Sequence, residues 1–203
     1  HSWVKDNLCD AEAEIAKKAG CHVYDIYNST AAKVPAGSNG VLFLPHLLPG
    51  GAPHNNLDDR GAFVGLKLSN TKDDMLRSVM EGVSFNIRMM CEAIEKQTGL
   101  DFEHVNFIGG GAKSALWSSI QANIMGKEIR TLELQQEANS LGAAILAGIG
   151  LGIFSDFDKA VKEFVKVSEV YRPNAEKMAV YNELYPIFTE VYDTLGPANT
   201  KLK

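Results

Sequence analysis

A chain of 203 residues has room for one large domain or two small ones, with a substantial buried core. Its 45% hydrophobic and 22% charged residues are the make-up of an ordinary soluble globular protein. A net charge of −5 offers little to nucleic acid or an anionic membrane, and no apolar run approaches the roughly 18 residues of a membrane span.

In chain order, residues 2–8 and 10–18 read as short helices, with Gly20 as a stop. Residues 23–34 form an amphipathic helix ended by Pro35 and Gly37. Residues 40–44 are a short apolar strand. The stretch 45–60 holds two glycines, three prolines and four Asn or Asp residues, and is a loop. Residues 62–66 are a strand. Residues 71–95 are the longest helix, with Asp73 and Asp74 at its positive end and Gly99 beyond it. Met75, Val79, Val83, Ile87, Met90 and Ile94 form its apolar stripe. Then come a strand (104–108), a helix (114–125), a strand (128–132), a helix of small residues (139–151), a helix (157–164) and an extended segment (166–171). A closing helix, 175–195, is stopped by Gly196 and Pro197. Alternating strands and helices make a layered α/β domain.

The most telling segment is Ile108-Gly109-Gly110-Gly111-Ala112-Lys113-Ser114, between a strand and a helix. Glycines there bring bare backbone up to a flat or anionic ligand. Ser114 can cap the helix or face that ligand. The run is neither a Walker loop nor a Rossmann GxGxxG. On its own it reads first as a tight strand-to-helix turn. Cys9, Cys21 and Cys91 are an odd number without a CxxC pair, as in a reduced cytoplasmic protein. Cys91 reads as packing, and Trp117 as core facing the sheet with Ile120 and Ile124. His46 and His54, in the polar loop, match no zinc spacing.

Two further segments give the glycine turn its context. Gly61-Ala62-Phe63-Val64-Gly65-Leu66 is followed seven residues later by Asp74 to Gly82, and Glu137-Ala138-Asn139-Ser140-Leu141-Gly142 lies downstream. With Leu42-Phe43-Leu44-Pro45, Gly50-Gly51-Ala52-Pro53 and Asp58-Asp59-Arg60-Gly61, these resemble the C-terminal domain of the FGGY family of carbohydrate kinases, most of all its xylulokinase branch. The resemblance runs from about Trp3 to Gly152, and more loosely to Tyr192. It implies an actin-like ATPase domain with a ribonuclease-H-like core, a mixed sheet flanked by helices. Residues 1–203 would be the C-terminal nucleotide-binding domain of a two-domain kinase, and the lack of an initiator Met is expected of a fragment. The N-terminal domain would bring the sugar contacts, a phosphate loop and the catalytic Asp, so no catalytic residue or metal ligand is expected here.

The complete enzyme would use ATP and Mg²⁺ to phosphorylate a ketose or polyol, D-xylulose first. A non-catalytic nucleotide-binding or regulatory module is the alternative. The resemblance puts Gly109, Gly110, Gly111 and Ala112 against adenine and ribose, with Ser114 bonding the base and Ser2 as a further contact. It makes Ala143, Ala144 and Ala147 a moving contact with the other domain; close packing within this one explains them as well. The partners implied are sugar, ATP and the N-terminal domain, and a homodimer is compatible. Pro49-Gly50-Gly51 stands where many relatives carry Gly-Glu-Arg, which leaves the sugar open. Arg60 reads as an ion-pair anchor first and as a solvated loop end second, and Glu137 can favour the start of its helix.

Overall fold

The computed structural model describes residues 2–48, 50–51, 56–135 and 137–202. Helices α1 (Ser2–Leu8), α2 (Asp10–Ala19) and α3 (Val23–Ala31) open the chain. Gly20 caps α2 in the left-handed conformation, at φ 67°. At the start of α3, the His22 ring nitrogen Nδ1 accepts from the Tyr24 N–H at 3.2 Å, and Asp25 accepts from the His22 N–H at 3.0 Å. Helix α3 ends three residues before the expected boundary. Pro35 disfavours helical geometry in the residue before it. The Lys33 and Val34 amides accordingly close tighter turns, onto Thr30 and Ala31 carbonyls.

The next turn is unusual: Gly37, Ser38, Asn39 and Gly40 all have positive φ. Ser38 and Asn39 hold it without the freedom of glycine, so the surroundings must impose it. Strand β1 (Leu42–Leu44) leaves this turn and pairs antiparallel with β2 (Ala62–Val64), Phe43 opposite Phe63. Strand β2 stops at Val64, not at residue 66, because Gly65 turns at φ 84° directly over the Gly40 carbonyl.

Helix α4 (Lys72–Thr98) was expected to bury one stripe. Between Asp74 and Phe85 it is instead buried nearly all round, including Asp74, Arg77, Ser78, Glu81 and Ser84. It lies between α3, β1 and α5 (Ala115–Met125), and Gly82 leaves room for the Phe43 carbonyl. At the other end of the stripe Ile94 is 46% exposed.

Strand β3 (His104–Phe107), α5 and β4 (Glu128–Leu132) form a βαβ unit with parallel strands. Helices α6 (Ala138–Gly150) and α7 (Phe157–Phe164) follow, and β5 (Val167–Tyr171) adds antiparallel to β4. The sheet is mixed, but among the described residues β1 and β2 stand apart from it as a separate pair. Trp117 turns toward α4 more than toward the sheet: its indole N–H donates to the Met80 carbonyl and to Ser84 Oγ, both at 3.1 Å. Cys91 packs between α4 and β3–β4, and burial pushes its thiol up, as a packing role requires.

Helix α8 (Ala175–Asn199) runs through Pro186 and past the expected stop at Gly196 and Pro197. The backbone bond that each proline removes is outweighed by the helix's anchors, since Tyr181, Phe188 and Tyr192 are buried. The Tyr192 hydroxyl donates to the buried carboxylate of Asp59 at 2.7 Å. Arg60 does anchor its loop, but through the Asp59 and Leu202 carbonyls; the described residues give it no ion pair. His46 packs its ring 4.8 Å from that of Tyr192, whereas His54 and Pro49 lie outside the described residues. No described helix is long and apolar enough to cross a membrane.

Two carboxylates of α4, seven positions apart, hold the positive-φ turn. The Glu81 carboxylate accepts from the Gly37 N–H (3.1 Å), Ser38 Oγ (2.7 Å), Arg77 Nε (2.7 Å) and the Tyr181 hydroxyl (2.7 Å). Asp74 accepts from the Asn39 side chain at 2.8 Å and from the Thr71 N–H at 2.8 Å, where it serves the helix start.

Burial weighs against charge on Asp74, yet bonds from the Thr71 backbone and from Asn39, Asn70 and Thr71 side chains hold its carboxyl below the ordinary value. Its contribution is therefore complete above the pH where an unfolded Asp titrates, about 3.9, and is lost as pH falls through the lower folded value. Asp74→Asn is expected to cost about 0.3–1 kcal/mol at neutral pH, the usual worth of a negative charge in the first turn of a helix. It should also flatten the loss of stability in acid. Urea melts of mutant and parent across the acid range check this; parallel acid limbs would assign the loss to other groups.

Candidate functional site

The three glycines after β3 are there for three different reasons. Gly109 sits at φ 82°, ψ −170°, a backbone region open essentially to glycine alone. Its N–H donates to the Gln135 carbonyl at 2.9 Å, tying the turn to the segment before α6. A Cβ on Gly110 would meet nothing within 4 Å. A Cβ on Gly111 would lie 2.8 Å from the Phe107 ring and 2.9 Å from the Trp117 ring. Gly111 thus spares the core. Ala112 is buried, its N–H closing a turn onto the Gly109 carbonyl at 3.1 Å. Ser114 caps α5, its Oγ accepting from the Trp117 N–H at 3.1 Å.

Across from this turn lies the start of α3, and the two enclose an open cleft of about 670 Å³. Ser2, His22, Tyr24, Asp25 and Asn28 line one side; Gly110, Gly111, Lys113, Ser114 and Trp117 line the other. Of the five expected cofactor-facing residues, Gly110, Gly111 and Ser114 reach the cleft. Gly109 and Ala112 shape the turn without lining it. The Ser114 hydroxyl is also committed elsewhere, donating to Asn28 Oδ1 at 2.9 Å.

Reading along the sequence missed His22, Tyr24, Asp25 and Asn28. Their only local signal is a polar edge on an amphipathic helix, and nothing in it says that the glycine turn, more than 80 residues on, packs opposite. Lys113 is exposed and has no carboxylate partner among the described residues, which leaves a positive charge on the glycine-turn side of the cleft. No three His, Cys, Asp or Glu side chains converge among the described residues.

On the far side of the sheet end, Ala143, Ala144 and Ala147 are exposed, beside Leu146 at 63%. Among the described residues nothing covers them. Glu137 precedes α6 exposed and makes no cap with its side chain.

A strand, a glycine turn and a helix facing a polar helix start across an open cleft define an α/β domain shaped for a small ligand. The C-terminal domain of the FGGY family of carbohydrate kinases matches residues 1–151, and the chain belongs to that family. It is 38% identical to a xylulose kinase of Staphylococcus epidermidis over 191 residues, covering 94% of this chain and 36% of that one. The crystal structure of ligand-bound xylulose kinase from Lactobacillus acidophilus superimposes with a TM-score of 0.84 at 31% identity, over 100% of this chain and 39% of that one. A gluconate kinase structure from the same organism gives 0.84 and 32%, with the same coverage. The chain spans little more than a third of the length of the relatives it matches.

Proposed function

We propose that this chain is the nucleotide-binding C-terminal domain of a two-domain sugar kinase, built on the actin-like ATPase plan with a ribonuclease-H-like core. The complete enzyme transfers the γ-phosphoryl group of ATP to a hydroxyl of a ketose or polyol, with D-xylulose the first acceptor. The observation that carries this reading is Gly110. Its bare Cα faces a cleft of about 670 Å³, within the usual size of small-molecule sites. A planar base needs such a flat wall of backbone.

In phosphoryl transfer the protein works mainly by positioning and electrostatics. This domain's share is to seat the base and ribose against the glycine turn and to offer Lys113 to the phosphates. The acceptor and the group that takes its proton come from the N-terminal domain, for which α6 offers Ala143, Ala144 and Ala147. The size of the cleft and the positive charge of Lys113 support this reading, with Asp25 the one carboxylate in the described lining. The cleft does not form a Mg²⁺ cage, since no set of ligating side chains converges in the described residues. Magnesium commonly rests on phosphates and one or two carboxylates, and no step here runs through it.

The full-length enzyme, assayed by coupled ADP release, is expected to favour D-xylulose over D-gluconate, L-ribulose and glycerol in kcat/KM. Preference for D-gluconate would replace the acceptor. No sugar-dependent turnover with any of the four would sink the kinase reading.

A further inference from the structure

We infer that Asn28 selects the nucleobase and that Ser114 fixes which way its carboxamide faces; this rests on the nucleotide reading of the cleft. The resemblance to FGGY kinases placed the base contact on Ser114. A serine hydroxyl has one hydrogen to donate and two lone pairs. In this structure the hydrogen goes to Asn28 Oδ1 at 2.9 Å, and one lone pair takes the Trp117 N–H at 3.1 Å. Ser114 has nothing left to donate to a base.

Asn28 does. It is half-buried and lines the same cleft as Gly110. Its Oδ1 keeps a second lone pair, and its Nδ2 has no partner among the described residues. In the same lining His22 Nδ1 accepts from the Tyr24 N–H and one Asp25 oxygen accepts from the His22 N–H, so these two atoms serve the helix start. A carboxamide presents an acceptor beside a donor, the complement of the adenine amino group beside N7. Guanine carries an acceptor, O6, where adenine carries that amino group. A flipped Asn28 would set its Nδ2 against the adenine amino group and its Oδ1 against N7, and it would fit guanine no better, since O6 and N7 are both acceptors. The flip would break the bond from Ser114 and set an N–H₂ against a hydroxyl left with its own hydrogen unpaired. Ser114 is thus a positioning residue, acting on the base through Asn28.

The test is titration of the full-length enzyme with ADP and GDP. The parent is expected to prefer ADP. Asn28→Asp removes the donor and supplies two acceptors, which suit the N1–H and N2–H₂ of guanine. The ADP-to-GDP affinity ratio is expected to fall about tenfold or more, the size of one good bidentate contact. Ser114→Ala should lower the same ratio, which a purely structural cap would leave unchanged. Asn28→Ala, which adds no charge, guards against misfolding of the Asp variant, and should lose both ADP affinity and discrimination. An unchanged ratio in Asn28→Ala and in whichever other variants fold overturns the inference. Gly110→Val separates the two layers. If it weakens ADP while the Asn28 variants keep the parent ratio, base selection by Asn28 is wrong and the nucleotide cleft stands. If it leaves ADP binding intact, the cleft assignment itself fails.

Discussion

Glu81→Ala is expected to destabilise the domain by about 3–5 kcal/mol, the usual cost of removing one partner of a buried ion pair. For a unit of this size that is a fall of roughly 6–20 °C in melting midpoint. The reason is the company Glu81 keeps. Arg77 is 5% exposed and donates to Glu81, to the Ala31 carbonyl and to the Tyr181 hydroxyl. Burial weighs against its charge, and Tyr181 and Glu81 hold the guanidinium charged nonetheless. Without Glu81 that charge is buried with no counter-charge. The Gly37 and Ser38 donors lose their acceptor at the same stroke, so the positive-φ turn before β1 loosens too.

Burial also pushes the Glu81 carboxyl up, against the pull of Arg77, Ser38 and Tyr181, so the pair is balanced and not a reservoir of stability. The double variant Arg77→Met, Glu81→Leu is therefore expected to lose much less than the sum of the single changes. A double-mutant cycle by urea melts reads this coupling directly. Additive losses would mean that the two residues act independently.

Gly110→Val and Gly111→Val are expected to fail in opposite ways. The first adds a branched side chain in open space at the cleft. The full-length enzyme should keep its melting midpoint and lose about tenfold or more in ADP affinity, or 1.4 kcal/mol per decade. The second drives a side chain into Phe107 and Trp117, whose rings pack edge to face at 5.9 Å. Overpacking of that kind costs about 1–3 kcal/mol. Trp117 also holds α5 to α4 through its indole N–H, so the strain reaches the core. Gly111→Val should melt early, and any folded fraction should bind ADP better than Gly110→Val does. Calorimetry and thermal melts on the same preparations distinguish them. Equal behaviour of the two would show that neighbouring glycines are interchangeable, and would remove the special position of Gly110.

What could be read from the chain alone was whatever is settled within a few neighbouring residues. Gly20 and Gly99 mark helix ends, because a left-handed cap is a local preference. The strand, glycine run and helix at 104–125 were legible for the same reason. So was β5 as an extended segment. The spaced motifs pointed to the family before any coordinates did.

The tertiary structure decided everything that depends on who packs against whom. Helix α4 has a stripe in its sequence but is enclosed along half its length, and its polar residues there are anchors. Pro197 is a stop signal to its neighbours, yet α8 continues past it because the buried Tyr192, bonded to Asp59 from 133 positions earlier, keeps the end in place. Asn28 looks like any polar position of a short helix until the fold sets it 2.9 Å from Ser114, across 86 positions of chain. Conformational preference is a property of adjacent residues and survives in the sequence. A hydrogen-bond partner or a buried face comes from chain brought back by folding, and local pattern carries no record of it.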